Sequence, residues 1–576
     1  MTANSLPRSV RRAAPVAAML AGALAVAGCG GDDKSADEPP AKATPASAAQ
    51  AGQLKAALSD DVPANAAAFA ETSIRPQGDT KATIEQIAGM FGVQDPGDEL
   101  IKALDMDEPL DSGKTFKDDV LPLLGDHVGG FVLGGKPAGK QPVDAAVVAE
   151  VKDTAKLEQI LAPEMKDAKK TTLDGATVYR DDDVVAWFGE DELVVGTEAG
   201  VKAAIAAAKG GTLAESERYK GAIAQVRASG DAAAVVWADL QQADTFNRAF
   251  KVKTKARAAL SSRAQRDLGG SFGGSTPMMR GWSLDGGQIP KVDATVAAAI
   301  LGKPGRIKVE TGGTLPADIA QDGAQSAKDG AAAVANLPAG SWFAAGGSTS
   351  LNVYKGTGQD PLTALSQIPG VKISDRLKDA LGKVRTAAIG VRGDSLMSIG
   401  GAVTMWMADA ASAKALLDEL ASLAQKNGLP AQDRDIEGAD AAKVAPLGQL
   451  PTQLAAAVKG DTFVIGLGTS SVEAALGKGG TLSGEQLYKD AQAALGGDAP
   501  MVLVKPQAFG DLLNGVAGMG GRMDRETQQA MQVLSRIKLV AASQAFTGPK
   551  TFRGTLVVDY DGSAPAPAGT TTSPGR

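Results

Sequence analysis

The sequence predicts an α+β protein of two tandem homologous domains, each a mainly antiparallel sheet with helices packed on one face. A repeat is the first observation behind this. The stretch from Gly189 to Ile223 returns from Gly460, with Lys209, Gly211, Thr212, Leu213 and Tyr219 reappearing as Lys478, Gly480, Thr481, Leu482 and Tyr488, all displaced by 269 positions (488 − 219). The second observation is that strand-like runs follow one another through short turns, which favours antiparallel pairing. The third is a single apolar stripe: Val201, Ala204, Ile205 and Ala208 share one helical face and suit packing on a sheet.

The elements follow in order. Folded sequence begins near Leu54, and Val62-Pro-Ala-Asn-Ala66 leads into a strand expected at 67–72. Helical spacing covers 84–91 and 99–104. Residues 116–125 read as a helix closed by Gly125, with a counterpart at 373–382 and a strand after it at 128–133. Clustered β-branched and aromatic residues predict strands at 145–151, 176–179, 184–188, 192–195 and 232–238. Helices are expected at 154–161, 200–208 and 215–226, then a longer charged one at 239–268 and a Gly-Ser turn at 269–275. Strand character returns at 280–301 and 306–310. Leu337-Pro-Ala-Gly-Ser341 repeats the opening, so 54–312 reads as the first domain, 313–334 as a linker and 335–561 as the second domain. There, strands at 385–391 and 396–405, a helix at 411–424, the repeated block, a strand at 501–504, a helix at 525–534 and closing strands at 537–545 and 551–560 keep the matching order. Residues 562–576, rich in Ala, Pro, Thr and Ser, form a disordered tail.

Lys209-Gly-Gly-Thr212 lacks the G-x-x-x-x-G-K-[ST] spacing of a phosphate loop. Gly210 and Gly211 instead suit a left-handed helix end, and Thr212-Leu-Ala-Glu215 a capping box, with Ser483-Gly-Glu-Gln486 in the same role in the second copy.

The amino terminus sets the location. Arg8, Arg11 and Arg12 precede an apolar stretch from Ala13 to Ala27, the layout of a secretory signal and short for a membrane span. It ends Val26-Ala27-Gly28-Cys29, which resembles the bacterial lipoprotein box, with valine where leucine is commonest. The resemblance implies cleavage between Gly28 and Cys29, a diacylglyceryl group on the Cys29 thiol and acylation of the new amino terminus. Residues 1–28 are then a signal peptide. Residues 29–53 are a disordered tether, and two acyl chains hold the protein stably on a membrane.

Composition narrows the chemistry. The chain carries 59 Lys and Arg against 66 Asp and Glu, net −7; losing three arginines with the signal peptide gives −7 − 3 = −10. No basic patch of the nucleic-acid kind is visible, so no nucleic-acid partner is expected. One cysteine and one histidine exclude an internal disulfide and Cys/His zinc sites, and any Ser/His/Asp triad would have to use His127. His127 follows a Gly-Asp pair at an expected helix end, and the second copy has Lys383 or Val384 in that region, which points to a structural role. Asp181-Asp-Asp183 lacks calcium-loop spacing and reads as a solvated turn, as does Asp118-Asp119. Trp187, Trp237, Trp282, Trp342 and Trp406 lie in or beside expected strands and suit core positions. No catalytic residue, cofactor site or metal site is singled out.

The Val62-Pro-Ala-Asn-Ala66 opening, the Leu123-Leu-Gly-Asp-His-Val-Gly129 segment and Gly211-Thr-Leu-Ala-Glu-Ser-Glu-Arg-Tyr-Lys220 resemble a family of secreted or membrane-anchored actinobacterial proteins to which no activity is assigned. The resemblance spans most of the chain from Val62 and implies location and fold, with no activity to carry over. The expectation is a lipid-anchored cell-envelope protein on the outer face of the cytoplasmic membrane, non-enzymatic, binding or scaffolding another envelope component. The alternatives are a lipid or small-solute carrier with an apolar groove and an oxygen-ligand metal hydrolase.

Overall fold

A computed structural model describes residues 54–248, 291–348, 374–518 and 525–563, less gaps at 55, 92, 104–105, 107–108, 111, 139–140, 142, 166, 229–231, 394, 396–397, 427 and 448–452. The signal peptide, Gly28 and Cys29, the tether, Trp282, the turn at 269–275, the expected helix beyond 248 and the tail beyond 563 lie outside the described residues. The described chain forms two compact units, divided in sequence between Leu315 and Pro316 and again between Asp559 and Tyr560, the last described residues belonging to the first unit.

The first unit holds β1 (Ala66–Ser73), β2 (Leu124–Leu133), β3 (Ala145–Val151), β4 (Lys169–Leu173), β5 (Ala176–Asp181), β6 (Val184–Phe188), β7 (Glu192–Gly196), β8 (Ala234–Asp239), β9 (Thr295–Lys303) and β10 (Arg306–Thr314). Their ladder runs β4-β5-β6-β7-β3-β2-β1-β8-β9-β10, antiparallel at every step. Its helices are α1 (Gly78–Met90), α2 (Pro96–Ala103), α3 (Thr154–Leu161), α4 (Glu198–Ala207) and α5 (Glu217–Ile223).

The second unit holds α6 (Ala317–Ala335), β11 (Ser341–Ser348), α7 (Asp375–Leu381), β12 (Val384–Arg392), β13 (Gly400–Met407), α8 (Ala410–Lys426), β14 (Gln432–Asp433), β15 (Ala441–Pro446), β16 (Gln453–Lys459) and β17 (Thr462–Leu467). It continues with α9 (Thr469–Ala475), α10 (Gln486–Ala494), β18 (Val502–Val504), α11 (Pro506–Gly518), α12 (Arg525–Arg536), β19 (Ile537–Phe546) and β20 (Thr551–Tyr560). Its ladder runs β14-β15-β16-β17-β13-β12-β11-β18-β19-β20. Each strand thus takes the place of the strand numbered ten lower in the first unit. The irregularities recur as well. The register slips between Ala66 and Ala68 in β1 and between Ser341 and Phe343 in β11. Bridges Pro63–Thr212 and Pro338–Thr481 fasten the repeated Gly-Thr-Leu segments beside the first strands.

The α+β class stands, but helices cover both faces of each sheet rather than one. Successive strand residues point to opposite faces, and Val147 and Val148 fall in different cores. Val148 packs with Val201, Ala204 and Ile205 of α4, whereas Val147 packs with Leu157 of α3. Likewise Val464 shares a core with Val472 of α9, and Phe463 with Leu416 and Leu417 of α8. The cause is β3 itself: Ala-Ala-Val-Val-Ala-Glu-Val is apolar on both sides, so one helical layer would leave a row of it in water.

Three further expectations need correction. Residues 313–334, read as a linker, are the end of β10 and most of α6, which packs on β11, β12 and β19. Gly125 lies inside β2 rather than ending a helix, and 116–123 is a π turn running into a 3-10 turn. Thr212 and Glu215 do form a capping box, in which the Glu215 carboxylate accepts from the N–H groups of Gly211 at 3.0 Å and Thr212 at 3.2 Å. The second copy lacks it: the Thr481 hydroxyl sits 3.0 Å from that of Ser483, and Glu485 begins α10 without a side-chain cap.

Candidate functional site

Two places in the first unit bear side chains that the common ladder does not call for. One is an open cleft of about 460 Å³ at the junction of the β1 and β8 ends, whose lining includes Asn65, Gly134, Ser216, Arg218, Trp237, Asp239 and Gln242. Trp237 lies on β8, where it pairs with Phe69 and meets the Tyr219 ring edge-on at 5.9 Å. Trp237 is 1 % exposed, and its Nε1 is buried with no hydrogen-bond partner among the described residues.

Arg218, on α5, closes one side. Its Nε and Nη2 donate to the two Asp239 carboxylate oxygens at 2.9 and 2.7 Å, and its Nη1 donates to Asp293 at 2.8 Å. Gln241 donates from its backbone N–H to Asp239 at 2.9 Å and from its amide to Asp293 at 2.5 Å. The guanidinium therefore fixes the rim as a planar bidentate clamp. Arg218→Leu is expected to destabilise the unit by about 1–3 kcal/mol, because the largely buried Asp239 carboxylate loses its main partner. Arg218→Leu combined with Asp239→Leu should recover much of that loss in thermal unfolding. A double variant no better than the single one would contradict the account.

The two ladders supply an internal comparison. Phe69 faces Trp237 and Ala344 faces Leu503, so Leu503 takes the place of Trp237 and Lys505 that of Asp239. The repeat offset puts Leu487 where Arg218 stands. The fold closes without the clamp.

The second place is a cluster of carboxylates around residues 57–61. Glu71, 6 % exposed, accepts the N–H groups of Ala57 at 3.0 Å and Leu58 at 2.7 Å and so binds that segment to β1. Burial raises its pKa despite these bonds. Glu150 accepts the N–H groups of Asp126 and His127 at 2.8 and 3.2 Å, with the His127 Nδ1 3.4 Å away. Glu192 is buried and its Oε2 has no partner among the described residues. Burial, then the charges of Asp61 and Asp191, pushes Glu192 up to about 8, and burial followed by Asp191 pushes Asp61 up to about 6. At neutral pH Glu192 is thus held as a neutral acid. The registers put Gly346 at the place of Glu71 and Thr386 at that of His127, rather than the expected Lys383 or Val384.

Carboxylates do gather here, but Glu71 and Glu150 are engaged with backbone amides. Among the described residues no group of three or more His, Cys, Asp or Glu side chains is placed to hold a metal ion. Asp182 takes φ of 48° in the turn between β5 and β6, and Asp119 accepts the Thr115 N–H at 2.9 Å, so both acidic runs serve local backbone. Trp187, Trp342 and Trp406 lie in strands as expected but are only half-buried, so among the described residues Trp237 alone takes the core position expected of the tryptophans; Trp342 donates to the Gly393 carbonyl at 2.7 Å. Arg218, Asp239 and Glu192 belong to no motif or spacing that marks them as site residues in the sequence. A usable signal for the first pair existed in the repeat, where Leu487 replaces Arg218 within an otherwise similar segment.

No family model matches the chain, and no curated protein matches it. Among solved structures the chain is similar to crystal form I of TP0453, at 6% identity and a TM-score of 0.23 over 46% of this chain and 81% of that one. A likeness of that size carries no inference about fold or function.

Proposed function

We propose that the protein is a cell-envelope lipoprotein, held through a lipid on Cys29 at the outer face of the cytoplasmic membrane, that acts by binding rather than by catalysis. The observation that carries the binding half is the cleft at Arg218, Trp237 and Asp239, present in one unit and replaced by Leu487, Leu503 and Lys505 in a second unit with the same ladder. Polar side chains that line an open cleft in one copy, while the other copy closes the same ladder without them, are placed for recognition. The anchor rests on the sole cysteine, which ends the apolar stretch after Arg8, Arg11 and Arg12. No described helix is long and apolar enough to cross a membrane. The resemblance to anchored actinobacterial proteins supports the same location.

Radioactive palmitate fed to cells making the full chain is expected to label it, and Cys29→Ala to lose the label. Equal labelling of both removes the anchor. Native mass spectrometry of the intact protein extracted from its host separates the modes of action: a co-purifying lipid ligand would favour the carrier reading over a scaffold.

A further inference from the structure

We propose that the cleft of the first unit binds a neutral, hydroxyl-rich small molecule of the sugar class. The inference rests on reading that cleft as a binding surface. It deepens that reading by asking which chemistry the unused groups fit.

The charged groups are already matched to one another. All three nitrogens of the Arg218 guanidinium donate to Asp239 and Asp293, so no free cation is presented to an anionic ligand. What remains is uncharged. The side chains of Asn65, Ser216 and Gln242 line the cleft and have no hydrogen-bond partner among the described residues. Asn and Gln amides each offer donors and an acceptor, and Ser offers both. Hydroxyl groups, which donate and accept at once, fit such a set. An apolar ligand would instead take water from the half-buried Ser216 and Gln242 without replacing its hydrogen bonds, at about 1–3 kcal/mol each. A volume of about 460 Å³ lies within the range of small-molecule sites.

Isothermal titration calorimetry on the full-length lipoprotein in lipid nanodiscs, with maltose and N-acetylglucosamine as probes, tests this. Sodium phosphate and octanoate serve as the anionic and apolar contrasts. Saturable binding of at least one sugar is expected, at least tenfold tighter than either contrast. Gln242→Leu should weaken it about tenfold with the melting temperature unchanged, the loss of a hydrogen bond from a site built to make it. No saturable sugar binding, tighter binding of phosphate or octanoate, or sugar binding that Gln242→Leu leaves unchanged overturns the proposal. Conversion of the bound sugar to product would support the site while removing the non-catalytic reading. Sugar binding by a chain that takes up no palmitate would support the site while removing the anchor.

Discussion

Glu192→Gln is expected to stabilise the first unit at pH 8 by on the order of a few kcal/mol and to leave it almost unchanged at pH 4. The buried carboxyl of Glu192 holds its proton up to about 8, against 4.5 for an ordinary glutamate. Below the lower value the folded and unfolded chains are both protonated there, and Glu192 adds no pH dependence. Between the two values the unfolded chain releases the proton while the folded chain keeps it. The unfolded state then binds fewer protons, so stability falls as pH rises and levels off above the folded value. Glutamine is close in shape to the protonated acid and removes this slope. A smaller fall survives from Asp61, between 3.8 and about 6. Urea denaturation from pH 4 to pH 9 reads the effect, and parallel profiles for the wild type and the variant would end the argument.

Gly200→Val should prevent the first unit from folding. Gly200 sits in the first turn of α4, its N–H donated to the Thr197 hydroxyl at 3.1 Å, and a Cβ there would lie 2.5 Å from the Ala145 carbonyl oxygen and 2.7 Å from its carbon. On the neighbouring strand a Cβ on Gly196 would lie 2.6 Å from the Ala146 Cα. Both obstacles are backbone of β3 in the middle of the ladder, so neither yields by a rotamer change. Overpacking typically costs about 1–3 kcal/mol and occasionally more, and a branched side chain driven against fixed backbone belongs at the top of that range. Gly221→Ala is the control, because its Cβ would meet only the Thr314 methyl at 3.8 Å. It should be neutral or stabilising by up to about 1 kcal/mol. The two units need not melt together. Calorimetry of Gly200→Val should therefore keep the transition of the second unit and lose that of the first, and a wild-type trace would refute the clash.

Local chemistry made much of this architecture readable in advance. The capping box at Thr212 and Glu215, the hairpin turn through Asp182 and most strand positions follow from residue type and spacing. The stripe of α6 escaped because Ala320, Ala327, Gly330 and Ala333 carry little hydrophobic signal, although a Cβ on Gly330 would lie 2.8 Å from the Gly346 carbonyl oxygen. Helices on the second face escaped because a run such as Ala-Val-Val-Ala states how much is buried and not from which side. The cleft and the carboxylate cluster were beyond reach for a different reason. Arg218 and Asp239 are 21 positions apart, and Asp61 and Glu192 meet only through the ladder.

In each unit the earliest strand lies in the interior of the ladder: β1 is flanked by β2 and β8. The Thr72 hydroxyl donates to the Ala233 carbonyl, 161 residues downstream. At about 5–20 residues per second a ribosome needs roughly ten to thirty seconds to deliver that partner. Throughout this interval a nascent β1 keeps one side bare, the state in which strands are prone to stick to foreign chains. Biogenesis of each half is therefore governed by how long that waiting strand is shielded, and slowing translation between residues 73 and 234 should lower the yield of folded protein.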